Sequence, residues 1–231
     1  KAGGPLDLPR LVRGPPQAAL APLPLAAEAA PALALLQRLR QVGLPLPEAE
    51  RAPARAAIDA ALADTRVGAS WPMPGPTGEA NRLRLLPRGP VWALPRTPLG
   101  LLQQVAASLA SGNPCHVVLP AADAGCAALW QALRAAAGDE SKAWLHEAPD
   151  AGLDDGARAV AAVLFEGDGD ALLALTARVA AREGAIVRIE SRSSDELLAG
   201  QGYELAALVH EQSISTNTAA AGGNAQLMTM A

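Results

Sequence analysis

Apolar residues recur at helical spacing in several long stretches of this chain, with short unbroken apolar runs between them. In 99–110, Leu99, Leu102, Val105, Ala106 and Leu109 share one face, a stripe of the kind that lies on a sheet. Ser111-Gly112-Asn113-Pro114 stops that helix, and 115–119 is a short apolar strand. The runs on either side of the helix do not alternate strictly, as expected of strands covered on both faces. Residues 88–120 therefore predict one right-handed βαβ unit, the seed of a Rossmann-like sheet.

Downstream, 124–137 reads as a helix, 143–145 as a weak strand and 147–156 as an acidic loop. Residues 159–165 form a clear apolar strand, 170–182 a helix with Leu172, Leu175 and Val179 aligned, and 185–189 another buried strand. Strands alternating with helices predict an α/β fold built on a parallel sheet. Upstream, 13–24 carries four prolines and reads as a linker. Residues 26–42 place Leu33, Leu36 and Leu39 on one face and stop at Gly43, and 48–65 starts at Pro47-Glu48 with Ile58 and Leu62 as anchors. Both are packing helices without chemistry on them. Residues 71–88 read as a proline- and glycine-marked approach to the βαβ unit. From Glu211 onward small polar residues dominate; 213–216 suits an edge strand, and the end, with Leu227, Met228 and Met230, is expected to dock rather than float.

At 231 residues and 50% hydrophobic, with aromatics only 3%, the chain can bury one sizeable aliphatic core plus accessory helices. A net charge of −4 gives no footprint for nucleic acid or an anionic membrane. The longest apolar region, 18–36, is interrupted by Pro22, Pro24, Glu28 and Pro31, so no membrane segment is expected. Cys115 and Cys126 are the only cysteines, and with three scattered histidines they offer no metal-ligand spacing. A reducing, cytoplasmic setting fits them. The chain starts at Lys1 and opens in mid-loop, so it is expected to be a piece of something longer.

Lys1-Ala2-Gly3-Gly4-Pro5 is either a plain surface turn or a nest of backbone N–H groups able to hold a carboxylate. Two terminal motifs carry a resemblance. Lys-Ala-Gly-Gly-Pro-Leu-Asp-Leu-Pro-Arg-Leu at the start resembles the substrate-anchoring loop of the aldehyde dehydrogenase domain in the proline utilization A family. Thr216-Asn217-Thr218-Ala-Ala-Ala-Gly222-Gly223-Asn224-Ala, with Leu227 and Met228, resembles that family's C-terminal motif. Between them, Gly75-Pro-Thr-Gly-Glu79 to Pro87-Arg-Gly89 is similar to the start of the extra domain that long members insert. That domain resembles the NAD-binding half of an aldehyde dehydrogenase, with Ser108–Asn113, Val117–Pro120, Val163–Asp168 and Ile189-Glu190 at its motif positions.

The resemblance implies the C-terminal region of a bifunctional enzyme that takes proline to glutamate through pyrroline-5-carboxylate and glutamate semialdehyde. FAD would serve the proline dehydrogenase half and NAD the aldehyde dehydrogenase half, with the intermediate passing through a tunnel. The remaining parent polypeptide would be this region's partner. The implied division is 1–16 for the end of the dehydrogenase domain, 17–70 for a helical linker, 71–210 for a non-catalytic Rossmann-like domain and 211–231 for a tunnel-closing motif. Ala2 and Gly3 would hold the semialdehyde carboxylate, and Thr216, Asn217, Thr218, Gly222, Gly223 and Asn224 would close the tunnel.

Departures from the family pattern imply that this piece binds no cofactor and is not itself catalytic. The lysine expected between Leu119 and Pro120 is absent, and the turn that should carry an asparagine reads Pro95-Arg96-Thr97-Pro98. The turn that should face pyrophosphate carries Glu166, Asp168 and Asp170, expected to satisfy one helix N-terminus internally and to repel phosphate. Gly167-Asp168-Gly169 lacks the final glycine of a dinucleotide fingerprint. Glu190 echoes a general base, but no cysteine follows it. Cys115 and Cys126 read as buried thiols, and His116, His146 and His210 as ordinary polar positions. Two rival readings follow: an NAD-dependent aldehyde dehydrogenase in its own right, and a free-standing Rossmann-like binding module.

Overall fold

The computed structural model describes residues 30–121 and 123–218. Its centre is a five-stranded parallel sheet in the order β5-β4-β3-β6-β7. The strands are β3 (Val91–Leu94), β4 (Cys115–Val117), β5 (Leu145–Glu147), β6 (Ala162–Glu166) and β7 (Arg188–Arg192). This is the Rossmann-like α/β fold the pattern predicted.

One face of the sheet packs under α3 (Pro98–Ala110) and α4 (Ala124–Ala137). Two earlier helices, α1 (Ala30–Gln41) and α2 (Glu48–Asp64), close over α3 from outside. Every residue of α3 is consequently buried, including Gln103, Gln104 and Ser108. Their donors find partners: Ser108 Oγ donates to Gln104 O at 2.8 Å, Gln104 Nε2 to Tyr203 Oη at 2.9 Å and Gln103 Nε2 to Leu197 O at 3.0 Å. Leu35, Leu36, Leu39, Leu101, Leu102 and Leu109 complete an aliphatic core.

The other face packs under α5 (Gly169–Ala180) through Trp92, Val163, Phe165, Leu175 and Val179. The crossover from β5 to β6 is not a helix but a 3-10 turn at Asp150–Leu153 followed by loop. Two arginines of the α5 region hold it down. Arg178 reaches the carboxylates of Asp150 and Asp154, and Arg182 reaches the carbonyls of Leu153 and Arg158. Beside this crossover, in-register residues of three strands stack their rings: Trp92 on His116, with centroids 5.8 Å apart, and His116 on His146, at 4.6 Å.

A second sheet is antiparallel, in the order β1-β2-β8, from β1 (Ser70–Met73), β2 (Glu79–Pro87) and β8 (Val209–Asn217). It has its own small core of Val67, Trp71, Leu83, Leu85 and Val209, joined by Leu33 of α1.

Several sequence-based spans need correction. Residues 71–88 are not a loop approach but hold β1 and β2; a short outer strand tolerates Pro72, and Pro87 ends β2, so proline there does not break pairing. The strand expected at 185–189 lies at Arg188–Arg192. The apolar Ala185-Ile186-Val187 belongs to the preceding loop, with Ile186 fully exposed at 101%. The weak strand at 143–145 falls at Leu145–Glu147, because Ser141–Trp144 is still helical. The edge strand expected at 213–216 falls within the longer β8, which starts at Val209.

Candidate functional site: the crevice at the sheet's switch point

Strands β3 and β6 are neighbours at the middle of the parallel sheet, while α3 and α5 pack on opposite faces. The C-terminal ends of two such strands part, and open α/β sheets take their ligands in that crevice. Three turns meet there, and each begins a helix. Thr97 caps α3, its hydroxyl accepting from Gly100 N at 3.0 Å, with Pro98 at the first helical position where no N–H is needed. Asp168 caps α5 by accepting from Ala171 N at 2.9 Å. Ser193 caps α6 (Ser194–Leu198) in a capping box with Glu196.

Glu166 ends β6 and is completely buried. Its Oε2 accepts from Arg96 N at 2.6 Å and from Thr97 N at 2.9 Å. Its Oε1 accepts from Thr97 Oγ1 and Ser194 Oγ, both at 2.8 Å. Four donors from two turns thus meet one carboxylate, which offsets the several kcal/mol that an unpaired buried charge would cost. Gly100 makes the room, since a Cβ on it would lie 1.9 Å from Glu166 Oε2.

More acid surrounds this point. Burial raises the Glu50 carboxyl above its usual range; the Leu99 backbone N–H opposes the shift, and the Glu166 and Asp123 carboxylates add to it. Asp123 caps α4 through Cys126 N at 2.6 Å. Asp168 is exposed, and the Ala171 N–H, followed by Arg96, holds its carboxyl below the usual range. The Arg96 guanidinium lies 3.2 Å from Asp168 Oδ2.

Helix-start N–H groups are what a nucleotide pyrophosphate requires. Here Arg96 N and Thr97 N, just ahead of α3, are spent on Glu166, Gly100 N is spent on Thr97 Oγ1, and Ala171 N at the start of α5 is spent on Asp168; Glu50 and Asp123 stand close by. A pyrophosphate at either turn would have to displace a carboxylate already seated there.

The structure divides the three acids that the sequence reading placed at one helix start. Asp168 does cap α5, and Asp170 sits in its first turn. Glu166 instead turns away to the N-terminus of α3, because that turn supplies two backbone donors and a hydroxyl. Cys115 and Cys126 are buried, with thiols pushed up to about 12 chiefly by burial. Glu190 on β7 is paired with Arg188 at 2.7 Å, away from either thiol's strand or helix. His116 and His146, read as ordinary polar positions, form the ring stack; burial first, then His146 and Arg158, lowers the His116 pKa. Thr97, Gly100, Ser194 and Glu50 were missed. Only Thr97-Pro98 carried a local signal, the cap followed by proline.

Ala2 and Gly3 lie outside the described residues, as do Gly222, Gly223 and Asn224. Thr216 and Asn217 end β8 opposite Ala80 and Glu79, and Thr218 N donates to Gly78 O at 2.8 Å. Among the described residues no group of three or more His, Cys, Asp or Glu side chains could hold a metal ion. No described helix is long and apolar enough to cross a membrane.

No family model matches the chain. It is similar to the bifunctional protein PutA of Escherichia coli (strain K12), 37% identical over 239 aligned residues that cover 100% of this chain and 17% of that protein. The bifunctional protein PutA of Rhizobium meliloti is 37% identical over 182 residues, covering 76% of this chain and 14% of the relative. The chain thus spans 14–17% of the length of these curated relatives. Among solved structures, a proline utilization A of Bradyrhizobium japonicum superposes with a TM-score of 0.56 at 24% identity, over 74% of this chain and 20% of that one. At that identity the likeness concerns the fold.

Proposed function

The chain belongs to the proline utilization A family as a segment of its much longer members, and from that premise we propose that it is a non-catalytic structural region of a bifunctional proline catabolic enzyme. The parent would oxidise proline to pyrroline-5-carboxylate with FAD and glutamate semialdehyde to glutamate with NAD, in the cytoplasm, with catalytic groups outside this chain. Within the parent, 1–16 would end the dehydrogenase domain, with Ala2 and Gly3 holding the substrate carboxylate. Residues 17–70 would link it to the Rossmann-like unit 71–210. Residues 211–231 would close the tunnel through Thr216, Asn217, Thr218, Gly222, Gly223 and Asn224.

The observation that carries the non-catalytic reading is the occupied crevice: Glu166 takes the donors ahead of α3, and Asp168 caps the start of α5, where the family's pyrophosphate would sit. Two buried thiols with strongly raised pKa values support it, because a thiolate is the nucleophile this chemistry uses. The test is the NAD stoichiometry of the parent by calorimetry, with one site per polypeptide expected. Two sites would overturn the reading and return the dehydrogenase alternative. For the tail, deletion of 213–231 from the parent is expected to weaken aldehyde dehydrogenase activity and to introduce a lag in coupled turnover; unchanged coupled kinetics would refute that role.

A further inference from the structure

We propose that Glu166 is a built-in ligand, filling an anion site that would take inorganic phosphate or a small carboxylate if the side chain were truncated. Three features point beyond a routine structural hydrogen bond. The donors come from separate elements, β3–α3 and the start of α6, and all four lie 2.6–2.9 Å from one carboxylate. They are matched two to each oxygen, as backbone amides and hydroxyls are matched in anion sites. The space is shaped for the carboxylate, because α3 has glycine at position 100, where any side chain would overlap Oε2.

The arrangement lets the chain close its own switch point with a side chain. The turn ahead of α3 has N–H groups with no partner inside the helix. A bound phosphate would satisfy them; here the chain supplies the anion from the end of the neighbouring strand. The attachment also ties β6 to the β3–α3 turn and to Ser194, so the ends of three strands are held together by one side chain. The inference rests on the crevice and not on the proposed role of the chain, so the NAD stoichiometry of the parent and the experiment below can fail separately.

The experiment is anion rescue in the full 231-residue chain, using Glu166→Ala to empty the site and Glu166→Gln to keep it filled without charge. Thermal unfolding is followed against inorganic phosphate and against formate, with chloride at matched ionic strength. Glu166→Ala is expected to melt lower than wild type and to gain a saturable rise of about 3–6 °C at ten times the dissociation constant. Wild type and Glu166→Gln should show no rise beyond the chloride control, because the space is occupied. If Glu166→Ala does not fold on its own, its refolding yield is expected to rise with phosphate or formate and not with chloride. A folded Glu166→Ala whose melting ignores both anions would overturn the proposal. So would a refolding yield blind to them, or an equal rise in wild type.

Discussion

The two faces of the parallel sheet are held by different physics. On the α3/α4 side, four helices stack in two layers, and the cohesion is aliphatic area, with α3 buried on every side. On the α5 side a single long helix covers part of the sheet, and a short crossover stands where another helix could be. There a smaller apolar cluster around Val163, Phe165 and Leu175 is supplemented by directed polar contacts: Arg178 and Arg182 on the crossover, and rings stacked from Trp92 to His146. Area burial is insensitive to pH and salt, whereas ion pairs and imidazoles are not. The aliphatic core of one face is therefore expected to respond less to solution conditions than the crossover contacts of the other.

The comparison is sharpened most by damage to the quiet face. Leu109 is completely buried between the sheet and the outer helices. Leu109→Ala is expected to cost about 2–5 kcal/mol, the transfer loss plus the cavity that a doubly covered helix cannot collapse. Urea unfolding at pH 8 and pH 5.5 checks it, and the loss should be the same at both. A cost below about 1 kcal/mol would mean that the outer helices relax into the gap and that the layer is less tightly packed than its burial indicates.

On the other face the polar contacts converge on Arg178. Its side chain is 28% exposed, and its partners Asp150 and Asp154 are 63% and 52% exposed. Exposed pairs contribute little, so Arg178→Ala is expected to cost only about 1 kcal/mol despite two carboxylate partners and a carbonyl. The loss should shrink in 1 M salt, unlike that of Leu109→Ala. Salt-independent destabilisation would show that Arg178 acts through its packed stem instead.

Legibility in the sequence follows how local the signal is. The α3/α4 side could be read because apolar periodicity and unbroken apolar strands are local signals, as in 99–110 and 159–165. Strands β1 and β2 are hidden behind Pro72, Pro74 and Pro87, which say loop unless one knows that Pro72 sits in a short outer strand and Pro87 at a strand's end. Ile186 reads as part of a buried strand because its neighbours Ala185 and Val187 are apolar, yet β7 is an edge strand and the run falls in its approach loop. At the crevice, an excess of acid was visible in 166–170, but the partner of Glu166 was not. Thr97 and Ser194 are 69 and 28 residues away in sequence, and only the strand order brings them together.

The smallest expected effect is also the most specific to the responsive face. His116 is neutral-favoured by burial, and then by its neighbours His146 and Arg158, so its folded pKa lies below its unfolded value of about 6.5. Below that unfolded value the unfolded chain binds more protons than the folded one, and stability falls as pH decreases. The contribution is complete above about pH 6.5 and is lost as pH drops from there toward the depressed folded value. His116→Phe keeps a ring between Trp92 and His146 but cannot titrate. Its unfolding free energy should change less between pH 8 and pH 5.5 than that of wild type, while the two remain close at pH 8. An identical pH slope in both proteins would remove His116 as the source and leave the stack a packing feature, like the aliphatic face it opposes.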